Sequence, residues 1–184
     1  MRILGISGSL RRDSHNTELL RAAATLLPSG VDFELYDGLK EIPPYDEDED
    51  KSQVPSVLRL KERIAAADAV IFATPEYNHS IPGHLKNALD WVSRPLAETP
   101  LKGKPVAVIG ASTGMFGAVW AQADLRKVLG AIGARVLDRE LPVPMADEIV
   151  RDREKLESSG THSLMLGLLA ELMDLARPAV AEAA

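Results

Sequence analysis

Between Ser7 and Thr17 the chain gathers the hydroxyls of Ser7, Ser9, Ser14 and Thr17, the carboxamide of Asn16 and the guanidinium groups of Arg11 and Arg12. They follow a short apolar run, Met1 to Ile6, and precede a helical pattern, so they form a polar loop between a buried strand and a helix N-terminus. Gly5 and Gly8 permit a tight turn there. Neutral donors, forked positive charge and the free N–H groups of a helix start together suit a terminal phosphomonoester. A second polar loop, Pro75 to Ser80, follows another buried strand. Pro75 stiffens it, Tyr77 offers an aromatic face or a hydroxyl, and Asn78 offers donor and acceptor to a heterocycle edge. One sheet edge could then hold both ends of a phosphorylated cofactor.

Other glycine-loop chemistries fail on residue type. Gly5-Ile6-Ser7-Gly8-Ser9-Leu10 lacks the third glycine of the dinucleotide fingerprint and the Gly-Lys-Ser/Thr ending of a nucleoside-triphosphate loop. It also misses the hydrolase elbow, because serine stands at position 9 where the second flanking glycine belongs, which leaves Ser9 a weak nucleophile candidate. The loop residues keep a second reading, in which Ser14 and Asn16 only cap the helix and Arg11 faces water. His15, His79, His84 and His162 are scattered and lack zinc-site spacing. The acidic run Asp46 to Asp50 reads as a solvated loop face rather than a metal site.

At 184 residues, with net charge -6 at pH 7 and no cysteine, the chain reads as one domain, 1–184, of a cytoplasmic protein without disulfides or cysteine-held clusters. The opening apolar stretch is too short for a signal peptide, and no later one approaches the roughly 20 residues that span a bilayer. No basic block marks a nucleic-acid surface, although a local positive pocket is compatible with the charge.

The elements that must position these loops alternate. Strands are expected at Arg2 to Ser7, Val31 to Tyr36, Asp68 to Thr74, Val106 to Gly110 and Arg135 to Leu137. Helices are expected at Asn16 to Leu27, Pro55 to Ala67, Pro82 to Val92 with Ser80 as cap, Ala118 to Leu129, and Asp152 to Leu175 broken near Gly160. In the last, Leu166, Leu169 and Leu172 read as a core or subunit stripe, while Asp90 reads as ordering the end of its own helix or contacting Arg94. Strand-helix alternation with near-continuous apolar strands implies an α/β three-layer sandwich around a five-stranded parallel sheet. The flavodoxin-like order 2-1-3-4-5 fits best, with the ligand crevice beyond the carboxyl ends of the strands where the order reverses. A third polar loop, Ser112-Thr113-Gly114, empties into the same crevice.

The stretches Gly8-Ser9-Leu10-Arg11-Arg12-Asp13-Ser14-His15-Asn16, Thr74 to Gly83 and Leu85 to Trp91 resemble the NADPH-dependent FMN reductase family, nearest to its bacterial quinone and chromate reductase branch. The resemblance implies a flavodoxin-like homodimer or homotetramer that holds FMN and takes electrons from NADH or NADPH. By it, Ser9, Arg11, Ser14, Asn16 and Thr17 match the phosphate-loop positions, Pro75, Glu76, Tyr77 and Asn78 run along the isoalloxazine ring, and Ser112, Thr113 and Gly114 form the third flavin-side loop. Asp13 departs from the glycine many relatives carry and puts a negative charge near the phosphate. Flavin N5 would carry hydride transfer, so no protein group is assigned as catalytic, and quinones, chromate, azo compounds or free flavin are the expected acceptors. A non-catalytic electron carrier is the alternative. Glu76, repelled by a reduced ring, is expected to turn toward backbone donors or a neighbouring subunit. Trp91 is expected in the core or an interface, and the Pro82 to Trp91 helix with Arg94 and Pro95 near a two-fold axis.

Overall fold

Parallel strands β1 (Arg2–Ser7), β2 (Asp32–Tyr36), β3 (Ala69–Thr74), β4 (Pro105–Ala111) and β5 (Arg135–Val136) lie in the order β2-β1-β3-β4-β5 of the computed structural model, which describes residues 1–49 and 53–177. This is the order expected from the alternation. Every residue of β3 and β4 is buried, as continuous apolar runs covered on both faces require.

Side chains alternate between two cores along each strand. Leu4, Ile6, Val70, Phe72, Val106 and Val108 meet α2 (Pro55–Ala66), α3 (Gly83–Val92) and α4 (Val119–Ile132). Ile3, Ile71, Ala107 and Ile109 meet α1 (His15–Thr25) and α7 (Thr161–Ala176) on the opposite face. Trp91 sits in the first core, as expected, with its ring edge-on to Tyr45 at 5.1 Å and its Nε1 donating to the Pro43 carbonyl at 2.9 Å. No described helix is long and apolar enough to cross a membrane.

Several local expectations need correction. The sheet has a sixth strand, β6 (Pro142–Val143), which pairs in parallel with Gly110 and Ala111 beyond the end of β5. Two residues carry no periodicity by which sequence could reveal them. The one-turn helix α5 (Ala146–Ile149) was hidden for the same reason, while α6 (Arg153–Ser158) and α7 meet at Gly160, whose φ of +76° breaks the helix where expected. Leu169 and Leu172 are buried but Leu166 is exposed, so the stripe is narrower than its spacing suggested. Ser80 does not cap α3. That helix starts at Gly83 after Pro82, and Ser80 Oγ instead donates to Asp124. Asp90 pairs with Lys86 one turn earlier at 2.7 Å, not with Arg94. Of the acidic run, Glu47–Glu49 form an exposed 3-10 turn, and Asp50 lies outside the described residues.

One polar contact ties the two sides of the crevice. The Asn16 carboxamide donates to the Ala111 carbonyl and accepts from the Ala111 N–H, both at 2.9 Å and both buried. Asn16→Leu keeps the branched shape and leaves both Ala111 groups unpaired, at a cost of about 1–3 kcal/mol for each. The expected result is a lower urea midpoint with an unchanged slope, read by equilibrium denaturation.

Candidate functional site

The loops after β1, β3 and β4 converge where the strand order reverses and enclose a cleft of about 150 Å³. Its walls are Ser9, Arg11, Ser14, His15 and Asn16 from the first loop, Pro75, Glu76 and Tyr77 from the second, and Ala111, Ser112 and Thr113 from the third. Most of the expected site residues therefore meet in one place. Thr17, Asn78 and Gly114 do not line this cleft.

The first loop is built by close approach. The Gly8 N–H donates to the Ala73 carbonyl at 2.8 Å, and a Cβ at Gly8 would lie 2.8 Å from Leu85 Cδ2, so a side chain there would have to displace the end of the buried Leu85. Ser14 is the N-cap of α1, its hydroxyl accepting from the Thr17 N–H at 3.3 Å, as the capping reading of this residue held. Thr17 Oγ1 donates to Ser7 Oγ at 2.9 Å and pins the helix to the end of β1. The side-chain amide of Asn16 is spent on Ala111, which leaves its main-chain N–H, with that of His15, as a first-turn donor free of an acceptor among the described residues. Arg11 folds back over the loop, with Nε and a terminal nitrogen donating to the Asp13 carbonyl at 3.2 and 2.7 Å. The Asp13 main chain thus anchors the cation, whatever its carboxylate costs an anion.

The second loop is a tight hairpin turn. Tyr77 and Ser80 exchange main-chain hydrogen bonds at 3.0 and 3.1 Å, and Asn78 and His79 between them have φ of +54° and +60°. Positive φ at both central residues makes a type I′ turn, and asparagine and histidine are among the non-glycine residues that best tolerate it. Glu76 turns away to backbone donors, as expected. Its Oε2 accepts from the N–H groups of Trp120 and Ala121 at 3.0 and 3.1 Å, capping α4, whose own N-cap, Ala118, has no side chain for the task. This assignment was not legible in detail, because the carboxylate and the helix it caps are far apart in sequence. Glu76→Ala should lower stability by about 0.5–2 kcal/mol through loss of a cap, with most of it restored in Glu76→Gln, as measured by chemical denaturation.

Beside the third loop the rim is apolar. Met115, Phe116 and Trp120 are exposed, with Trp120 edge-on to Phe116 at 5.0 Å and to His79 at 4.8 Å. The Gly114 carbonyl accepts from Met145 at 3.1 Å and the Ser112 N–H donates to Val143 at 3.1 Å, so β6 and the turn after it brace this loop.

His15, the first residue of α1, also lines the cleft. Its Nδ1 is buried without a hydrogen-bond partner, and burial, then Arg11 and Arg151, lower its pKa below the ordinary 6.5. A lowered base holds fewer protons folded than unfolded, so its contribution to stability is present above pH 6.5 and is lost as pH falls toward the folded pKa. A phosphate beside it favours the imidazolium. The His15 ring resonances should therefore titrate below 6.5 in ligand-free protein and move upward in saturating inorganic phosphate, followed by NMR; an unmoved midpoint would place His15 away from the anion.

A parallel sheet of order β2-β1-β3-β4-β5, with the loops after β1, β3 and β4 meeting at its switch point, defines a flavodoxin-like α/β fold. Residues 1–148 match the NADPH-dependent FMN reductase model, and the chain belongs to that family. It is 49% identical over 140 residues to an NAD(P)H-dependent FMN reductase of Pseudomonas aeruginosa, covering 76% of this chain and 75% of that one. It is 48% identical over 129 residues to a 2-hydroxy-1,4-benzoquinone reductase of a Burkholderia species, covering 70% and 69%. Among solved structures, the flavoenzyme NAD(P)H:(acceptor) oxidoreductase FerB of Paracoccus denitrificans superposes with a TM-score of 0.80 at 35% identity, over 95% of this chain and 96% of that one.

Proposed function

We propose that this chain is an FMN-containing reductase that passes electrons from NADH or NADPH to quinones or similar small acceptors, in the reducing interior of the cell. The observation that carries the reading is the pairing, in one cleft, of an anion loop with an uncommitted helix N-terminus and a stiff aromatic-bearing turn. The donor set fits FMN. Free main-chain N–H groups at His15 and Asn16, the hydroxyls of Ser9 and Ser14 and the Arg11 guanidinium suit its phosphate. When bound, FMN would supply the redox chemistry between the reduced nicotinamide and the acceptor.

The chain's own work is positioning. Pro75 and the type I′ turn fix Tyr77 at one side of the cleft, Ser112 and Thr113 form the other, and the capping bonds hold the Glu76 carboxylate on α4 rather than against an electron-rich ring. Thr17 supports the phosphate loop through Ser7, and Gly114 and Asn78 shape the loops that flank the ring. The exposed rim leaves an open side where quinones bind, and where chromate, azo compounds or free flavin fit the same demand for an electron-poor acceptor. A second copy supplies the missing wall, giving a homodimer or homotetramer. The half-exposed Leu96, in the groove between α3 and α4 with Arg94 and Val128, supports this, as do Phe116 and Trp120. Sedimentation over a dilution series should find an assembly larger than a monomer at assay concentration.

Arg11→Ala should weaken FMN by about 10- to 150-fold, the equivalent of one charged hydrogen bond, and leave riboflavin affinity unchanged. Flavin titration of the folded variant measures it, and equal loss for both flavins would move the phosphate away from Arg11. Tyr77→Ala should slow reoxidation by a quinone at full FMN occupancy in rapid mixing. Asn78→Ala strains the turn as well as removing an amide, so Asn78→Gly, which keeps positive φ, isolates the amide's effect on either half-reaction. Rapid, saturable bleaching by a reduced nicotinamide separates the enzyme from a simple carrier.

A further inference from the structure

A second cavity, of about 300 Å³, lies where α1 meets the segment that runs from the end of α5 into α6 and α7. Aliphatic Ala22, Leu26, Val150 and Leu156 line it, together with Thr25, Arg151 and His162. A more open recess of about 500 Å³ shares Ala22, Thr25, Val150 and Arg151 with it and continues to Asp13 and Glu18. The cavity has no lining residue in common with the cleft. Thr25 stands ten residues beyond His15 on α1, about 15 Å along the axis.

The polar residues differ in what they have left to give. Thr25 Oγ1 is spent on the Ala22 carbonyl at 2.8 Å. Arg21, at the open recess, is held by Glu18 at 2.6 Å. Arg151 makes only a long contact, one terminal nitrogen donating to the Asp13 carbonyl at 3.4 Å, where Arg11 already donates at 2.7 Å. No carboxylate among the described residues pairs with Arg151, and His162 has no hydrogen-bond partner among them. One guanidinium without a counter-charge therefore borders an aliphatic hollow in which Val150 and Leu156 are buried.

A planar guanidinium matches a carboxylate in two parallel hydrogen bonds, and an imidazole N–H supplies one more donor. Asp13 and Glu18 at the open end disfavour a second negative charge, so the lining selects a monoanion over a phosphate dianion. The aliphatic wall rewards a chain attached to that charge, because each methylene taken from water contributes to binding. We propose that this cavity is a binding site for an aliphatic monocarboxylate, its head on Arg151 and His162 and its chain against Leu26, Val150 and Leu156. The site goes beyond the reductase reading and does not depend on it.

The test is calorimetric titration of the FMN-loaded protein with octanoate. Saturable one-to-one binding is expected, at least about tenfold tighter than butyrate, since each buried methylene contributes up to about fourfold. Octanol should bind about tenfold or more weaker than octanoate, and Arg151→Gln should weaken octanoate by about 10- to 150-fold while leaving octanol unchanged. Ala22→Leu fills the hollow from α1 and should weaken both. In the parent, with no substitution at all, octanoate should shift the His162 ring resonances. Absence of binding to the parent, or a His162 spectrum that octanoate does not move, overturns the proposal. Equal affinity for octanol marks an apolar void that reads no charge, and equal potency of inorganic phosphate marks a general anion patch; either overturns it. Displacement of FMN by octanoate would assign the carboxylate to the flavin phosphate loop and overturn it too, as would undiminished binding in either variant.

Discussion

The pair of hydrogen bonds between the Asn16 carboxamide and the main chain of Ala111 sets the width of the crevice. It fastens the start of α1 to the end of β4 across the intervening β3, and both partners are shielded from water, where an unpaired amide is costly. With that distance fixed, the anion loop and the Ser112–Gly114 loop face each other at a constant separation, and the turn after β3 lies between them. The glycine at position 8, the Ser14 cap and the Thr17 to Ser7 bond then settle the fine shape of one wall.

Polar groups in the crevice are mostly committed to the protein itself. Asn16 holds β4, Glu76 caps α4 and Arg11 is bent onto the Asp13 carbonyl. What remains for a ligand is main-chain N–H, a few hydroxyls and the outer edge of one guanidinium. Such a site binds and orients without supplying strong acid or base, which is the division of labour expected when a bound organic group carries the chemistry.

Continuous apolar runs made β1, β3 and β4 legible in the sequence, and the helices between them followed from their 3.6-residue spacing. The order of the sheet followed from chirality and connection rules rather than from any single residue. Contacts between elements distant in the chain were not legible. Nothing local distinguishes an asparagine that caps α1 from one that bonds a strand 95 residues away. The left-handed His79 was invisible because histidine is not a strong turn residue, and β6 because two residues have no pattern. The loops that meet at the cleft could be read because strand ends in a parallel sheet all point one way; what each side chain does there depended on packing.

Gly8 has consequences for how this chain can vary. Any side chain at that position would strike Leu85, and Gly117, at φ +58°, has a main-chain nitrogen 2.5 Å from where a Cβ would stand. The root of the third loop is therefore closed to substitution on steric grounds alone, whereas a side chain at Gly8 would have to push aside the end of the buried Leu85. Met115, Phe116 and Thr113 at the rim, by contrast, are solvent-exposed. Change can accumulate at the exposed rim without disturbing the packed root from which that loop rises.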